Sequence, residues 1–359
     1  MNKKDAEHIA VFYEGQDDLI DILAVSMASV CYNTKSFVDF YILDCGICDF
    51  NKKQLELLKE KFANFSIEYI PIDLKQFEGL KGWRGFLDCY SRLQIPELKK
   101  KLNRAIYLDS DVIALGDVKL LWKENLDGHA VGAAAEIGYG NFLFQNCTNK
   151  LGISPTHIYL NTGVLLIDCQ QWRQKKITQS LFDIARCYKD DIFVICEDIL
   201  SIYFNDTNYK LLPNRYNLSD RINEIKDICA SQITDEYLEE EWKHIVFQHL
   251  TPCKPWIMLS NYYNNKALRH CNSFWFFAQM TPFYEGLKNK LSQNLLLSGN
   301  QLLLNNINFI KENKSSLISK YKLFNIIPLL IIKQKNNCKR YFLFGCIPFL
   351  KMKVKKHEK

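Results

Sequence analysis

The chain has 359 residues, of which 48% are hydrophobic and 24% charged, proportions of a globular protein that exclude a collagen, a coiled coil or a disordered chain. Its net charge of +6 is uneven: residues 333–359 hold nine Lys/Arg against one acid, leaving 37 bases against 39 acids in the other 332 residues. That distribution argues against a nucleic-acid-binding body and points to one localised electrostatic contact in the tail.

The opening stretch, "MNKKDAEHIAVFYEG", has bases but no apolar core of signal-peptide length, and no run of about 18 apolar residues follows anywhere. A cytoplasmic chain without a spanning helix is therefore expected. Two periods then alternate. "HIAVFYE" reads as a strand, "DLIDILAVSMASVCYN" as an amphipathic helix and "SFVDFYILDCG" as a second strand. "NKKQLELLKEKFANF" is a helix, "SIEYIPID" a third strand, "CYSRLQIPELKKKL" a helix and "RAIYLDSD" a fourth strand. Such alternation predicts an α/β domain with a mostly parallel sheet, in which ligands bind beyond the carboxyl ends of the strands.

Further on, "AVGAAAE" and "YLNTGVLLIDC" read as strands, "QQWRQKKITQSLFDIARCYKD" as one long helix, "EDILSIYFND" as a shorter helix and "HIVFQHL" as a late strand. The thirteen cysteines are scattered singly, as small buried hydrophobes are in a reducing compartment, and "CGIC" (Cys45, Cys48) reads as structural. No internal repeat is evident. After Trp256 the pattern loosens, which places a boundary between a domain over residues 1–265 and an extension over 266–359 with a helical, basic tail. Within the tail, "LFNIIPLLII" and "YFLFGCIPFL" are apolar runs flanked by bases. Ten residues span only about 15 Å as a helix, half the hydrocarbon core. The runs therefore suit packing on the body, but their flanking bases favour peripheral anchoring of residues 323–359 on an anionic membrane face.

The chemistry concentrates in "AIYLDSDVIALGDVKLLW". In an extended segment Asp109 and Asp111 point the same way, so both carboxylates can converge on one hard cation. The alternative is a solvated turn in which they cap backbone amides. "IVFQHLTPCKPW" places His249 at the end of another strand, with Lys254 five residues later. One imidazole with two carboxylates makes a plausible Mn²⁺ set with positions left for phosphate oxygens.

Taken together, "LAVSMASV", "YSRLQIPEL", "AIYLDSDVIALGDVKLLW", "YLNTGVLLIDCQQWR", "EDIL" and "HLTPCKPW" resemble, in this order, glycosyltransferase family 8 over about residues 9–256. The family comprises retaining transferases such as glycogenin and bacterial lipopolysaccharide galactosyl- and glucosyltransferases. The resemblance implies a Rossmann-like GT-A fold and a Mn²⁺-bound nucleotide diphosphate (Mg²⁺ being the other candidate). By position it makes Asp109, Asp111 and His249 the metal ligands and Lys254 a diphosphate contact. Arg92, Ser110, Glu136 and Asn161 fall on the nucleotide and donor side, as do Gly15, Gln16 and Asp18 of the N-terminal loop. Glu197 and Asp198 take the catalytic positions. Without the resemblance, Arg92 reads rather as a helix-surface ion pair and Asn161 as a satisfied turn residue, and the alternative for Glu197 and Asp198 is first-turn helix residues favoured by the dipole.

Three stretches depart from the family pattern. "YEGQDDL" has Leu19 where an aromatic would stack on uracil. "CED" has Cys196 and Glu197 where the family usually carries Asp and Gln, which puts a carboxylate, and so a candidate nucleophile, beneath the anomeric carbon. "HLTPCKPW" lacks the usual glycine between His249 and Lys254. The expectation is transfer of galactose or glucose from a UDP-sugar to a glycolipid or oligosaccharide, such as a lipooligosaccharide core, on the inner face of the cytoplasmic membrane. The departures leave room for a membrane-recruited nucleotide-sugar-binding protein with weak or lost transfer.

Overall fold

The computed structural model describes residues 8–136, 150–154, 157–205, 208–219, 234–251, 254–257, 267–294, 318–323, 327–335, 338–343 and 347–353. The centre is a seven-stranded sheet in the order β3-β2-β1-β4-β7-β6-β8, formed by β1 (His8–Gly15), β2 (Phe37–Asp44), β3 (Phe65–Pro71), β4 (Arg104–Leu108), β6 (Val131–Ala135), β7 (Leu160–Asp168) and β8 (Lys210–Leu212). β3, β2, β1 and β4 run parallel, as the alternation of strands and helices predicts. β7 lies antiparallel between β4 and β6.

Both faces of this sheet are covered, and its strands show why. Along β1 and β4 alternate residues enter different cores: Ala10, Phe12, Ala105 and Tyr107 one, Val11, Tyr13, Ile106 and Leu108 the other. A strand apolar on both faces is what a sheet with helices on each side requires. The helix Ile20–Asn33 is almost wholly buried, and Ser26, inside it, accepts or shares a proton with Tyr13 Oη (2.8 Å) and donates to the Val112 carbonyl.

A second, three-stranded sheet decides the site. β5 (Val112–Ala114) pairs antiparallel with β10 (Phe247–His249), and β10 pairs parallel with β9 (Leu218–Ser219). His249 thereby lies opposite both Val112 and Ser219 in the register, one residue from Asp111. The Leu250 amide donates to the Asp111 carbonyl at 3.0 Å, continuing the ladder to the acidic turn.

Several elements differ in detail from their sequence patterns. The long helix expected after β7 is two helices, Cys169–Gln174 and Ile177–Cys187, because Lys176 between them adopts a left-handed conformation at φ 54°. "CYSRLQIPELKKKL" is a 3₁₀ segment, Asp88–Gln94, followed by a single turn, Ile95–Leu98, into which Pro96 fits at the start of the turn. Where a helical tail is expected, the described residues form a four-stranded antiparallel sheet of β11 (Ile318–Leu323), β12 (Ile327–Lys335), β13 (Cys338–Leu343) and β14 (Ile347–Lys353). Short apolar runs fit either period. Here prolines at the second position of β12 and β14, with Ile and aromatics around them, favour strands.

The tail also contains a repeat that hydropathy alone conceals. Tyr-x-Leu-Phe-x-x-Ile-Pro-x-Leu begins at Tyr321 and again at Tyr341. Each copy supplies one hairpin, and the register shifts at the equivalent place in both, beside Tyr321 and beside Tyr341.

By contacts the chain forms two compact units, one of residues Met1–Pro255 with Arg269–Lys288, the other of Trp256–Leu268 with Asn289–Lys359. In the first unit the Lys61 ammonium donates to the Gln279 carbonyl and Ser273 Oγ to Gln248 Oε1, which tie its returning segment to the body. Among the described residues no helix is long and apolar enough to cross a membrane.

Candidate active site

β4 ends at Leu108, and the Asp109 amide extends its ladder by one bond to the Gly163 carbonyl of β7 (2.8 Å). The chain then turns at Ser110 and Asp111 before entering β5, so the two carboxylates meet across a turn. Asp109 Oδ2 lies 3.9 Å and Asp111 Oδ1 3.3 Å from His249 Nε2, and one ligand atom from each of the three residues lies within 4.8 Å of the others. His249 Nδ1 faces Asn217 Oδ1 at 2.9 Å. An N–H at Nδ1 donating to that amide leaves the Nε2 lone pair directed at the carboxylates, the tautomer a metal-ligating imidazole needs.

The donor set fits a divalent cation of the Mn²⁺ or Mg²⁺ kind: two carboxylates, one imidazole nitrogen and room for further oxygens. A second observation agrees. Ser219 Oγ, opposite His249 in the ladder, is buried on the cavity wall without a hydrogen-bond partner among the described residues. A polar atom left bare there awaits a ligand or its water.

Two cations frame the carboxylates. Arg92, buried in the 3₁₀ segment, binds Asp109 Oδ1 at 2.9 Å and Glu14 Oε2 at 3.0 Å, and lies over the Tyr107 ring at 4.4 Å. Tyr107 Oη also donates to Asp109 Oδ1 at 2.6 Å, so this carboxylate is fixed from two sides. Lys254 pairs with Asp111 Oδ2. Burial alone would raise the Asp111 carboxyl, but the Lys254 ammonium and His249 outweigh it and hold the group far below the usual carboxylate range.

Another wall of the cavity is built by β6, β7 and the helix Ile195–Tyr203. Glu136 follows β6, and Asn161 of β7 donates to it through Nδ2. Asn161 Oδ1 in turn accepts from Asn217 Nδ2 (2.6 Å) and from the Gly163 amide (2.9 Å). One hydrogen-bonded relay, Glu136–Asn161–Asn217–His249, thus runs through two amides from this wall to the cluster of Asp109, Asp111 and His249. Glu197, in the first turn of its helix, borders the cavity, and its carboxyl is pushed up to about 7 by burial, with Asp109 and Glu136 adding to the effect against the pull of Arg92.

That shift has a sign that can be measured. A folded pKa near 7 against about 4.5 unfolded means the native state holds an extra proton between these values, so stability falls as pH rises through that window. In metal-free protein with EDTA, Glu197→Gln is expected to remove this loss. The variant would melt several degrees above wild type at pH 8, about 2 kcal/mol, and converge with it near pH 4.5. Equal pH dependence in both proteins would refute the buried-carboxyl assignment.

Eight of the residues singled out in the sequence line one cavity of about 250 Å³: Arg92, Asp109, Asp111, Glu136, Asn161, Glu197, His249 and Lys254. Five others lie outside its lining. Gly15 packs where a Cβ would meet Ile42 and Ile47, Gln16 donates to Asp88 Oδ2 at 2.7 Å, Asp18 is exposed, and Ser110 sits in the turn between the two aspartates. Asp198 is fully buried. It accepts from the amides of Phe193 and Val194 and from the Tyr159 hydroxyl, so it caps its helix and holds a cavity-lining tyrosine.

Sequence reasoning missed Asn217, Ser219 and Gly163. Nothing local marks the first two. Gly163 did carry a signal, an isolated glycine inside an apolar strand, which indicates close approach of another group. A Cβ there would lie 2.4 Å from His249 Cε1.

The GT-A arrangement is shared with solved structures of low sequence identity. The galactosyltransferase LgtC in complex with donor and acceptor sugar analogs superposes with a TM-score of 0.63 at 22% identity, over 76% of this chain and 96% of that one. The bifunctional glycosyltransferase WbbM gives 0.64 at 17% identity, over 81% of this chain and 53% of that one. Among curated proteins, General stress protein A of Bacillus subtilis is 30% identical over 49% of this chain and 61% of its own length. Glycosyltransferase GlyF of Streptococcus pneumoniae is 31% identical over 54% of this chain and 45% of its own length. The chain therefore spans about half the length of these relatives. The profile described as Glycosyl transferase family 8 matches residues 10–259, the stretch that carries the three-stranded sheet, nearly all of the seven-stranded sheet and every residue of the cavity, and the chain belongs to that family.

Proposed function

We propose that residues 1–265 form a retaining hexosyltransferase that moves galactose or glucose from a UDP-sugar to a glycan acceptor. The observation that carries this reading is the convergence of Asp109, Asp111 and His249 with Arg92, Lys254 and Glu197 on one cavity beyond the carboxyl end of β4. Asp109, Asp111 and His249 would hold Mn²⁺ or Mg²⁺, which when bound supplies Lewis-acid stabilisation of the diphosphate.

The chain's own groups do the rest. Arg92 and Tyr107 keep the Asp109 carboxylate in place. Lys254 transfers its hydrogen bond from Asp111 to a diphosphate oxygen and stabilises the charge that builds as UDP leaves, a preorganised electrostatic contribution. Glu136 and Asn161 bind hydroxyls of the donor sugar and orient its anomeric carbon. Glu197, once ionised, faces the developing positive charge there, as a nucleophile or as a fixed counter-charge. The acceptor hydroxyl enters from the side UDP vacates, which retains configuration.

The acceptor we propose is a lipooligosaccharide core or similar glycolipid. Residues 323–359 would place the enzyme on the anionic inner face of the cytoplasmic membrane. The test is UDP release from UDP-galactose and UDP-glucose with Mn²⁺, with EDTA as control, with and without oligosaccharide acceptors. Metal-dependent release that rises with acceptor supports transfer. Release indifferent to acceptor would indicate a hydrolase, and tight UDP binding without turnover a binding protein.

A further inference from the structure

The duplicated tail sorts its charge by face. Residues directly opposite in a ladder share a face, and faces alternate along each strand. In one row across three strands the register aligns Lys333, Arg340 and Lys351. Two residues along, on the same face, Lys335 and Lys353 flank Cys338. Lys320, aligned with Ile331 and Phe342, belongs to that face too.

The opposite face takes the rows Tyr321–Leu330–Leu343–Ile347 and Ser319–Ile332–Tyr341–Leu350, and of the bases in these strands only Lys339. The equivalent register shifts in the two hairpins keep this sorting in phase, so both copies of the repeat contribute bases to one side.

Like charges directly opposite one another destabilise a sheet. Residues 318–353 contain no Asp or Glu to offset them, and the body of the chain is slightly acidic. The compensating anion is therefore not supplied by these strands. It must offer many negative groups over a broad flat area, and it must accept the apolar row of Ile331, Phe342 and Pro348 beside the bases. A bilayer surface of anionic phospholipid does both.

We infer that the basic face of the tandem hairpins is a lipid-docking surface for anionic phospholipid headgroups, built by duplication of one hairpin. This rests on the membrane contact proposed above and is independent of the transfer reaction.

The face assignment is testable because neighbouring residues fall on opposite sides. Full-length protein is mixed with phosphatidylcholine vesicles with and without phosphatidylglycerol, and binding is read by co-sedimentation. Wild type is expected on the anionic vesicles alone. Arg340→Gln should weaken binding about fivefold and the Lys333→Gln/Arg340→Gln/Lys351→Gln variant about 100-fold, while Lys339→Gln changes it less than twofold. Equal losses from Arg340→Gln and Lys339→Gln would overturn the face, and indifference of wild type to phosphatidylglycerol would overturn the lipid. Thermal unfolding of each variant checks that it is folded. UDP release to a soluble acceptor, expected unchanged in all, separates a failure here from a failure of the transferase reading.

Discussion

Asp111→Asn is expected to lower metal-stimulated UDP release by about 10³-fold or more, the scale of losing one preorganised electrostatic group at a reacting centre, while unfolding stays cooperative. The substitution keeps the shape and the backbone carbonyl that receives the Leu250 amide, so the β5–β10 ladder survives. It removes the charge that faces both His249 Nε2 and the Lys254 ammonium. The proposed metal site would be left with one carboxylate, and Lys254 would lose the carboxylate it pairs with. Thermal shift against Mn²⁺ reads the metal directly: wild type should be stabilised by the ion and the variant should not. An Asn variant with full Mn²⁺-dependent activity would remove Asp111 from the metal site.

Gly163→Ala is expected to act on the same centre from behind. Its Cβ would fall 2.4 Å from His249 Cε1, 2.8 Å from Nδ1 and 3.0 Å from Asn161 Oδ1. The backbone cannot yield easily, because the Gly163 carbonyl accepts from Asp109 and its amide donates to Asn161. The imidazole must therefore swing away, breaking its bond to Asn217 and its aim at the carboxylates. Metal affinity should fall about 10- to 100-fold, with activity following it, for about 1–3 kcal/mol of stability. Calorimetric titration with Mn²⁺ measures this. Unaltered affinity would mean that His249 is not a ligand.

The parts of the site legible in the sequence were those written as local strings at strand ends. Asp109-Ser110-Asp111 and His249 with Lys254 stand where an α/β sheet presents ligands, and chain order within the family's motifs joined them. Asn217 and Ser219 were illegible because their role comes from β9 lying beside β10, a pairing between short strands that no periodicity announces. The break at Lys176 was hidden for a related reason, since the apolar pattern continues on both sides of it. The tail shows the limit of hydropathy in another way. Its two ten-residue runs looked alike as apolar blocks, but the repeat is carried by individual positions, Tyr321 with Tyr341 and Pro328 with Pro348, and it defines hairpins.

The amide relay from Glu136 through Asn161 and Asn217 to His249 would give the two ends of the proposed donor site a common thermodynamic fate. Each amide has a single orientation that satisfies both neighbours, so a hydroxyl that pulled on Glu136 would be felt at the imidazole. Where two sugar epimers pull on Glu136 differently, the proposed site would bind its cation with different affinity beside each, and by reciprocity the cation would shift the choice between them by the same factor. Under the proposed function, selectivity and metal loading would be one linked equilibrium viewed from opposite ends.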